Sequence, residues 1–205
     1  MTNKEYKFCL EADRLIARRP PKTLKRKIKS FFTPDYIEDF MIVLRKVEYL
    51  DGKPGILNKM ARIFAKNKFN RLSVKLGFSI APHVFGPGLY IPHYGTIVVN
   101  GNARVGANCV LHTSTCIAGS EPKKLGDNLY ISTGSIISGN TNIPNNVTIS
   151  ANSLVNKSVA ESDVLIGGTP AKVIKSRPAW YECDDHEEFL TAIKEIDELR
   201  KRMLG

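Results

Sequence analysis

Aliphatic side chains recur every six residues through the middle of this chain, from Val99 to Val155. The positions of this repeat are Val99, Val105, Leu111, Ile117, Leu125, Ile131, Ile137, Ile143, Ile149 and Val155. Small or β-branched residues follow most of them four positions later, at Ala103, Cys109, Thr115, Ser135, Thr141, Val147, Ser153 and Val159. The single irregular step is the eight residues between Ile117 and Leu125. A period of six fits neither a helix nor an ordinary strand, so it predicts a parallel β-helix with one short strand per step.

Such a solenoid stacks coils of three strands, which brings every eighteenth residue into one column and closes an apolar interior. Residues that tolerate positive φ are expected at the corners of the coils. The sequence offers Gly101-Asn102, Ala107-Asn108, Asp127-Asn128 and Asn145-Asn146 for these corners. A β-sandwich of short strands is the alternative, but its side chains alternate in twos and would not keep a phase of six for about sixty residues.

Helical periodicity is found on both sides of the repeat. The pattern predicts helices over residues 4–17, 35–50, 56–68 and about 185–203. In the third helix the apolar face comprises Leu57, Met60, Ile63 and Phe64. In the last, one stripe holds Phe189, Ile193, Ile196, Leu199 and Met203, with Asp184 or Asp185 as the N-cap. Such a stripe at a chain end favours a docking surface over a free helix. We expect three units: a basic helical segment (1–75), the β-helix (76–176) and a C-terminal helix (177–205).

The positive charge is concentrated in the first part of the chain. The 205 residues carry a net charge of +10. Residues 1–79 hold 19 Lys or Arg and 8 acids, whereas residues 181–205 hold 4 and 8. The basic cluster at residues 18–29 would suit an anionic membrane surface, a phosphorylated ligand or plain solvent. Aromatic residues do not alternate with the basic ones, so we expect no nucleic-acid partner.

The start of the sequence, Met-Thr-Asn-Lys, lacks an apolar signal segment, and no apolar run approaches the length of a membrane span. We therefore expect a cytoplasmic protein. The four cysteines show no spacing typical of a metal site, so no metal is expected. Cys109 and Cys116 fall within the repeat, where a small reduced side chain would pack.

Three motifs carry a resemblance to a known family. The first is His93-Tyr-Gly-Thr-Ile-Val-Val, preceded by Gly86-Pro-Gly-Leu-Tyr-Ile-Pro. The others are Asn102-Ala-Arg-Val-Gly-Ala-Asn-Cys and the closing Gly168-Thr-Pro-Ala-Lys. On these motifs, residues 80–175 resemble the serine acetyltransferase branch of the hexapeptide-repeat acyltransferases. The resemblance implies a left-handed β-helix, a homotrimer with active sites between subunits, and acetyl-CoA as acyl donor.

The resemblance also implies direct transfer of the acetyl group to a hydroxyl, for which a base must remove the proton. Histidine suits that task because its ordinary pKa of about 6.5 lies near working pH. The motif assigns the base to His93, with His112 as a second candidate and His83 as a weaker one. Counting back eighteen residues from Leu111, however, places His93 on an inward position of the column. An irregular coil around Pro82, Pro87 and Pro92 would resolve this conflict.

Acetyl-CoA is expected to lie along the column. For its pantetheine arm and phosphates, the resemblance suggests Gly119, Ser120, Thr133, Gly134, Ala151, Asn152, Lys157, Pro170 and Lys172. Lysine is a point-charge partner for phosphate, although each surface lysine could equally be a solvated one.

The chain departs from the family pattern where the acceptor would bind. Pro92 stands where serine acetyltransferases place an aspartate before the catalytic histidine, and residues 118–124 form a short loop without the Arg-His pair. The aspartate that would orient the histidine is also missing. Because those charged groups hold an amino acid, we expect the hydroxyl of a sugar in surface polysaccharide synthesis, with serine as the alternative acceptor. The basic first part could then contact an anionic membrane surface.

Two other classes of protein share the repeat. A γ-class carbonic anhydrase would need three zinc-binding histidines, two of them a few residues apart, and the spacings among His83, His93 and His112 are 10 and 19. A non-catalytic trimeric scaffold would keep the repeat and need no histidine in the cleft. Thiol release from acetyl-CoA separates this scaffold from an enzyme.

Overall fold

The computed structural model describes residues 1–21, 23, 24, 26, 28, 32–183 and 186–205, and it consists of helices flanking a β-helix. The helices are α1 (Asn3–Ile16), α2 (Tyr36–Leu50), α3 (Ile56–Leu76) and α4 (Glu187–Leu204), with a 3₁₀ turn at Trp180–Glu182. The strands are β1 (Phe78–Ile80), β2 (Ile97–Val99), β3 (Ala103–Val105), β4 (Val110–Leu111), β5 (Thr115–Ile117), β6 (Lys123–Leu125), β7 (Tyr130–Ile131), β8 (Ile136–Ile137), β9 (Val147–Ile149), β10 (Leu154–Val155), β11 (Val164–Gly168) and β12 (Ala171–Ser176). None of the helices in these ranges is long and apolar enough to cross a membrane.

The strands stack in parallel into three faces, as the six-residue period predicts. The first face consists of β1, β2, β5, β8 and β10, and the second of β3 and β6. The third face consists of β4, β7, β9 and β11, with β12 added antiparallel to β11. Ile97 pairs with Thr115, and Ile131 with Ile149, one coil of eighteen residues apart. The predicted parallel β-helix is therefore confirmed.

The repeat positions line the interior of the column. All ten aliphatic residues from Val99 to Val155 are at most 5% exposed. The small residues that follow them are buried too, except for the partly buried Val159, and those with hydroxyls bond to the corner carbonyl three residues earlier. Ser135 Oγ donates to the carbonyl of Ser132 at 2.7 Å, and Thr115 Oγ1 donates to that of His112 at 2.8 Å. A hydroxyl at this position therefore supplies a hydrogen-bond donor to a corner carbonyl from within the same coil.

Asparagines form a ladder at the corner between the second and third faces. Asn108, Asn128 and Asn146 all have φ between 57° and 59°, a left-handed conformation that asparagine tolerates. Asn108 Nδ2 donates to Asn128 Oδ1 at 3.0 Å, and Asn128 Nδ2 donates to Asn146 Oδ1 at 2.8 Å. The ladder ends at Asp163, which accepts from Asn146 at 2.8 Å. These are three of the four predicted corners.

A buried ionic cluster joins the N-terminal helices to the first coil. Arg45 of α2 is 1% exposed, and its Nε donates to Asp13 of α1 at 2.8 Å. The same guanidinium donates to Glu48 at 3.0 Å and to the carbonyl of Phe85 at 2.8 Å. Asp13 also accepts from the backbone amide of Gly88 at 2.9 Å. Because each charge has a partner, the helices are held to the column by bonds that would be costly to break singly.

Two details of the predicted helices are corrected. The third predicted helix extends to Leu76, and its predicted apolar face is exposed. That helix instead buries Ala65, Phe69, Leu72 and Leu76. The last helix begins at Glu187, and its predicted caps, Asp184 and Asp185, lie outside the described residues. Its apolar stripe packs with Phe8, Ala12 and Ile16 of α1, so the expectation of a docking surface is met within the chain.

Candidate active site

His93 and His112 lie together at the corner between the third and first faces. Tyr90 is bridged to Val110 on the third face, and Ile97 pairs with Thr115 on the first. Six residues thus lie between Tyr90 and Ile97 at the corner that carries His93, but only four lie between Val110 and Thr115 at the next one. This longer corner resolves the register conflict, because its additional residues move His93 out of the column. The imidazole is exposed, and its centroid lies 6.4 Å from that of His112.

Tyr130 fixes the position of His112 from the next coil. His112 Nε2 and the Tyr130 hydroxyl are 2.9 Å apart, which is hydrogen-bonding distance. Tyr130 is a residue of β7 and pairs with Val110 of β4, so it lies one coil further along the column than the strand that leads into His112. A strand of the third face thus supplies a polar partner to the histidine corner.

The surroundings of His112 favour its neutral form. Partial burial lowers the pKa of His112 from its ordinary value, and the nearby His93 and His186 lower it further. Burial acts because a cation loses hydration, and the other imidazoles act by repulsion when charged. A neutral His112 leaves His93 free to accept a proton without an adjacent positive charge.

The C-terminal segment covers the third face beside this site. Trp180 is 1% exposed, and its Nε1 donates to the carbonyl of Asn108 at 3.1 Å. The ring of His186 lies 5.2 Å from that of Tyr130 and 5.8 Å from that of Trp180. Phe189 packs edge-on against Trp180, with centroids 5.1 Å apart. Residues beyond the repeat therefore hold Tyr130 in place.

Four of the residues predicted to bind acetyl-CoA share the corner with the histidines. Thr133 and Gly134 follow β7, and Ala151 and Asn152 follow β9, one coil below the other. The backbone amide of Asn152 donates to the carbonyl of Thr133 at 2.9 Å. A Cβ at Gly134 would come within 2.1 Å of Asn152 Oδ1, so this corner requires a glycine. Pro170 turns the hairpin of β11 and β12 that follows this corner.

The other predicted cofactor residues lie elsewhere. Gly119, Ser120 and Lys157 are at the corner between the first and second faces. Lys172 is an exposed residue of the edge strand β12. Within one chain, the nine predicted acetyl-CoA positions therefore fall into three places. These are the two corners that border the first face, and the hairpin of β11 and β12.

His83, the weaker candidate for the base, is separated from the other two. It lies at the corner between the first and second faces, where its Nε2 is 3.3 Å from Asp51. Its backbone amide donates to Glu48 at 2.7 Å. These contacts assign His83 to the junction between α2 and the column. Within the described residues, no group of three His, Cys, Asp or Glu side chains could hold a metal ion.

The first face presents an apolar row to the outside. Val98, Cys116 and Ile136 are in register on adjacent strands, and Leu154 continues the row. Val98 is 40% and Ile136 42% exposed. This row runs between the two corners that carry the predicted cofactor positions.

The sequence analysis missed Tyr130 and His186. Tyr130 could have been found by adding the eight-residue step between Ile117 and Leu125 to the count, because the coil from Val110 then ends at Tyr130, two residues before the position that follows His112 by one coil. His186 offers no such signal, because it lies outside the repeat.

Known proteins with similar sequences are serine acetyltransferases. That of Staphylococcus epidermidis is 32% identical over 127 residues, which cover 58% of this chain and 59% of the relative. That of Staphylococcus xylosus is 30% identical over 106 residues, which cover 48% and 49%. The chain thus spans about half to three-fifths of the length of these relatives. No family model matches the sequence.

Solved structures of serine acetyltransferases share the fold. The enzyme of Neisseria gonorrhoeae has a TM-score of 0.64 at 25% identity, covering 90% of this chain and 72% of that one. A serine acetyltransferase in complex with CoA has a TM-score of 0.63 at 20% identity, covering 84% and 71%. Together these similarities support the resemblance to the serine acetyltransferase-like hexapeptide-repeat acyltransferases. They do not confirm the surface-polysaccharide branch.

Proposed function

We propose that this chain is an acetyl-CoA-dependent O-acetyltransferase in which His93 is the general base. The observation that carries the proposal is the exposed His93 imidazole beside a His112 that Tyr130 holds in place. The serine acetyltransferase relatives, and the CoA-bound structure among those with the same fold, support acetyl-CoA as the donor.

In the proposed reaction, His93 takes the proton of the acceptor hydroxyl as its oxygen attacks the thioester carbonyl. The tetrahedral intermediate collapses with cleavage of the carbon–sulfur bond, and the departing CoA sulfur takes the proton from the imidazolium. In this cycle, His112 is the uncharged imidazole next to His93. Two imidazolium rings with centroids 6.4 Å apart would repel each other, so a low pKa at His112 helps His93 to carry the charge.

Serine is the first candidate for the acceptor, because the relatives named above are serine acetyltransferases. A sugar hydroxyl is the second candidate, and one observation favours it. The corner residues 92–96, 112–114 and 132–134 contain no Asp, Glu, Lys or Arg. An amino acid would need such partners for its ammonium and carboxylate groups, whereas a sugar would not.

The proposal includes a homotrimer. The apolar row of Val98, Cys116, Ile136 and Leu154 would be covered by a neighbouring copy. In a threefold arrangement, the histidine corner of one copy would face the Gly119 corner of the next. The divided set of predicted acetyl-CoA positions would then meet across the interface.

The test is release of CoA thiol from acetyl-CoA, measured with serine and with a panel of sugar acceptors. We expect His93→Ala to lower kcat by about 10²–10⁴-fold, the usual contribution of a general base. His83→Ala is the matched control, since His83 is an exposed histidine at another corner, and it should keep its turnover.

Equal, slow release by the wild type and by His93→Ala with every acceptor would refute the enzyme and favour the scaffold. The ratio of kcat/KM for serine and for the sugars decides between the two acceptors.

A further inference from the structure

Helix α3 has two apolar sides, only one of which is buried. Phe69 and Leu72 pack inward, and the Phe69 ring stacks on Phe40 of α2 with centroids 5.3 Å apart. On the opposite side, five large apolar side chains are between 50% and 79% exposed. We call this set the exposed α3 face: Ile56, Leu57, Met60, Ile63 and Phe64. Contiguous apolar surface of this kind marks an interaction site.

The charge of α3 is of one sign. Residues 56–76 contain six Lys or Arg and no Asp or Glu. At 3.6 residues per turn, Lys59 and Lys66 border one side of the exposed α3 face, and Lys68 borders the other. Among the described residues, Arg62 forms an ion pair with Asp51 at 3.1 Å, and Lys66 interacts electrostatically with the same carboxylate. Lys59 and Lys68, on the two borders of the exposed apolar strip, form no ion pair with any described residue, so the strip is flanked by a net positive charge.

A second basic and apolar stretch of the sequence has Leu24, Arg26 and Ile28 among its described residues. Leu24 and Ile28 are 75% and 59% exposed, within a stretch whose residues 22–29 include five Lys or Arg. Arg26 pairs with Glu38 of α2 at 2.9 Å. Lys75 of α3 lies 3.5 Å from the ring centroid of Tyr36, also in α2. Arg26 and Lys75 therefore both contact the first turn of α2.

We infer that the exposed α3 face docks onto an anionic lipid surface. An apolar strip flanked by Lys and Arg is the pattern of a helix that lies in a membrane interface, with its apolar side chains among the acyl chains and its cations at the headgroups. A second copy of the same face would bring like charges together, and nucleic acid would leave the aliphatic side chains uncovered. This inference does not depend on the proposed acetyl transfer.

The test is flotation of the whole 205-residue chain with lipid vesicles. We expect binding to vesicles in which about one third of the lipid is phosphatidylglycerol, and little binding to pure phosphatidylcholine. Binding should weaken at about 0.5 M salt, because the electrostatic contribution is screened. The double variant Leu57→Ser/Phe64→Ser and the double variant Lys59→Gln/Lys66→Gln should each lower the bound fraction about fivefold or more.

Matched controls are Ile174→Ser, which removes an exposed apolar side chain from β12, and Lys201→Gln/Arg202→Gln, which removes two cations from α4. Both should bind as the wild type does. All four substituted side-chain sets are at the surface, so an unchanged melting temperature checks that the variants fold. Equal binding to both lipids, or wild-type binding by the α3 variants, would overturn the inference. So would a smaller sedimenting mass for Leu57→Ser/Phe64→Ser, which would make the face a contact between copies.

Discussion

The first and third faces of the β-helix are both apolar on the outside, but only the third is covered by its own chain. On the third face, Val110 and Tyr130 lie beneath Trp180 and α4, and Val110 is 2% exposed. On the first face, Val98 and Ile136 remain about 40% exposed. The C-terminal helix therefore covers the third face, on one side of the histidine corner. The first face, on the other side, stays open for a neighbouring copy.

The largest effect is expected on the assembly of copies, from a charge introduced on the outside of the first face. If a second copy covers this face, Ile136→Glu buries an unpaired carboxylate at each contact, at a cost of about 3–5 kcal/mol per copy. Sedimentation velocity should then show a monomer where the wild type sediments as a trimer. The control is Val173→Glu on the exposed strand β12, which should leave the mass unchanged. A wild type that is itself monomeric would contradict the assignment of the first face.

The second-largest effect is expected on the unfolding free energy, from a cavity created at the third face. Trp180→Ala removes a ring that is 1% exposed, and such truncations cost about 3–5 kcal/mol of unfolding free energy. Chemical denaturation measures the loss. Val98→Ala in the Ile136→Glu background is the matched change on the first face and should cost less than about 1 kcal/mol, because the side chain is partly exposed before truncation. Equal losses would show that the two faces do not differ.

Tyr130 links the third face to the histidine corner, so its hydroxyl should affect catalysis more than stability. Tyr130→Phe keeps the ring but removes the partner of His112 Nε2, and we expect kcat to fall about tenfold with KM unchanged, equivalent to about 1.4 kcal/mol. Tyr90→Phe removes a hydroxyl from the same face and is the control. An unchanged kcat in Tyr130→Phe would show that His112 needs no fixed orientation.

The smallest effect is expected on the way the melting temperature changes with pH. The folded-state pKa of His112 is lowered, so below about pH 6.5 the unfolded chain binds more protons at this residue than the folded one. This residue therefore lowers stability as the pH falls from about 6.5 through its folded pKa, and it has no such effect above that window. His112→Gln should lose less melting temperature than the wild type between about pH 7 and pH 5. A parallel decline in both proteins would contradict the lowered pKa.

The interior of the column could be predicted because the period of six is a direct record of which side chains point inward. The ten aliphatic positions are buried as that phase requires. The placement of His93 could not be predicted from the same count, since two additional residues at its corner make Phe85 and Tyr90 pair twenty, rather than eighteen, residues along the chain. Corner length depends on hydrogen bonding between coils, which the hydrophobic pattern does not encode.

Helix α3 illustrates a different limit. Its sequence has apolar residues on two sides, and periodicity alone cannot tell which side packs. Leu57 and Phe64 suggested the buried side, but Phe69 and Leu72 occupy it. The decision is made by α2, whose Phe40 stacks on Phe69, and this tertiary contact leaves no local signal.

The asparagine ladder has a consequence for how this chain can change length. Along the ladder, the corner between the second and third faces keeps one length, with four residues between Val105 and Val110 and four between Leu125 and Tyr130. The other two corners vary in length, as the turn around His93 and the segment 118–122 show. Insertions grafted at those two variable corners would enlarge or reshape the substrate pocket while the stack stays aligned. Redesign of acceptor preference should therefore begin at those two corners. Asn108, Asn128 and Asn146 should be kept, because they hold the coils in register.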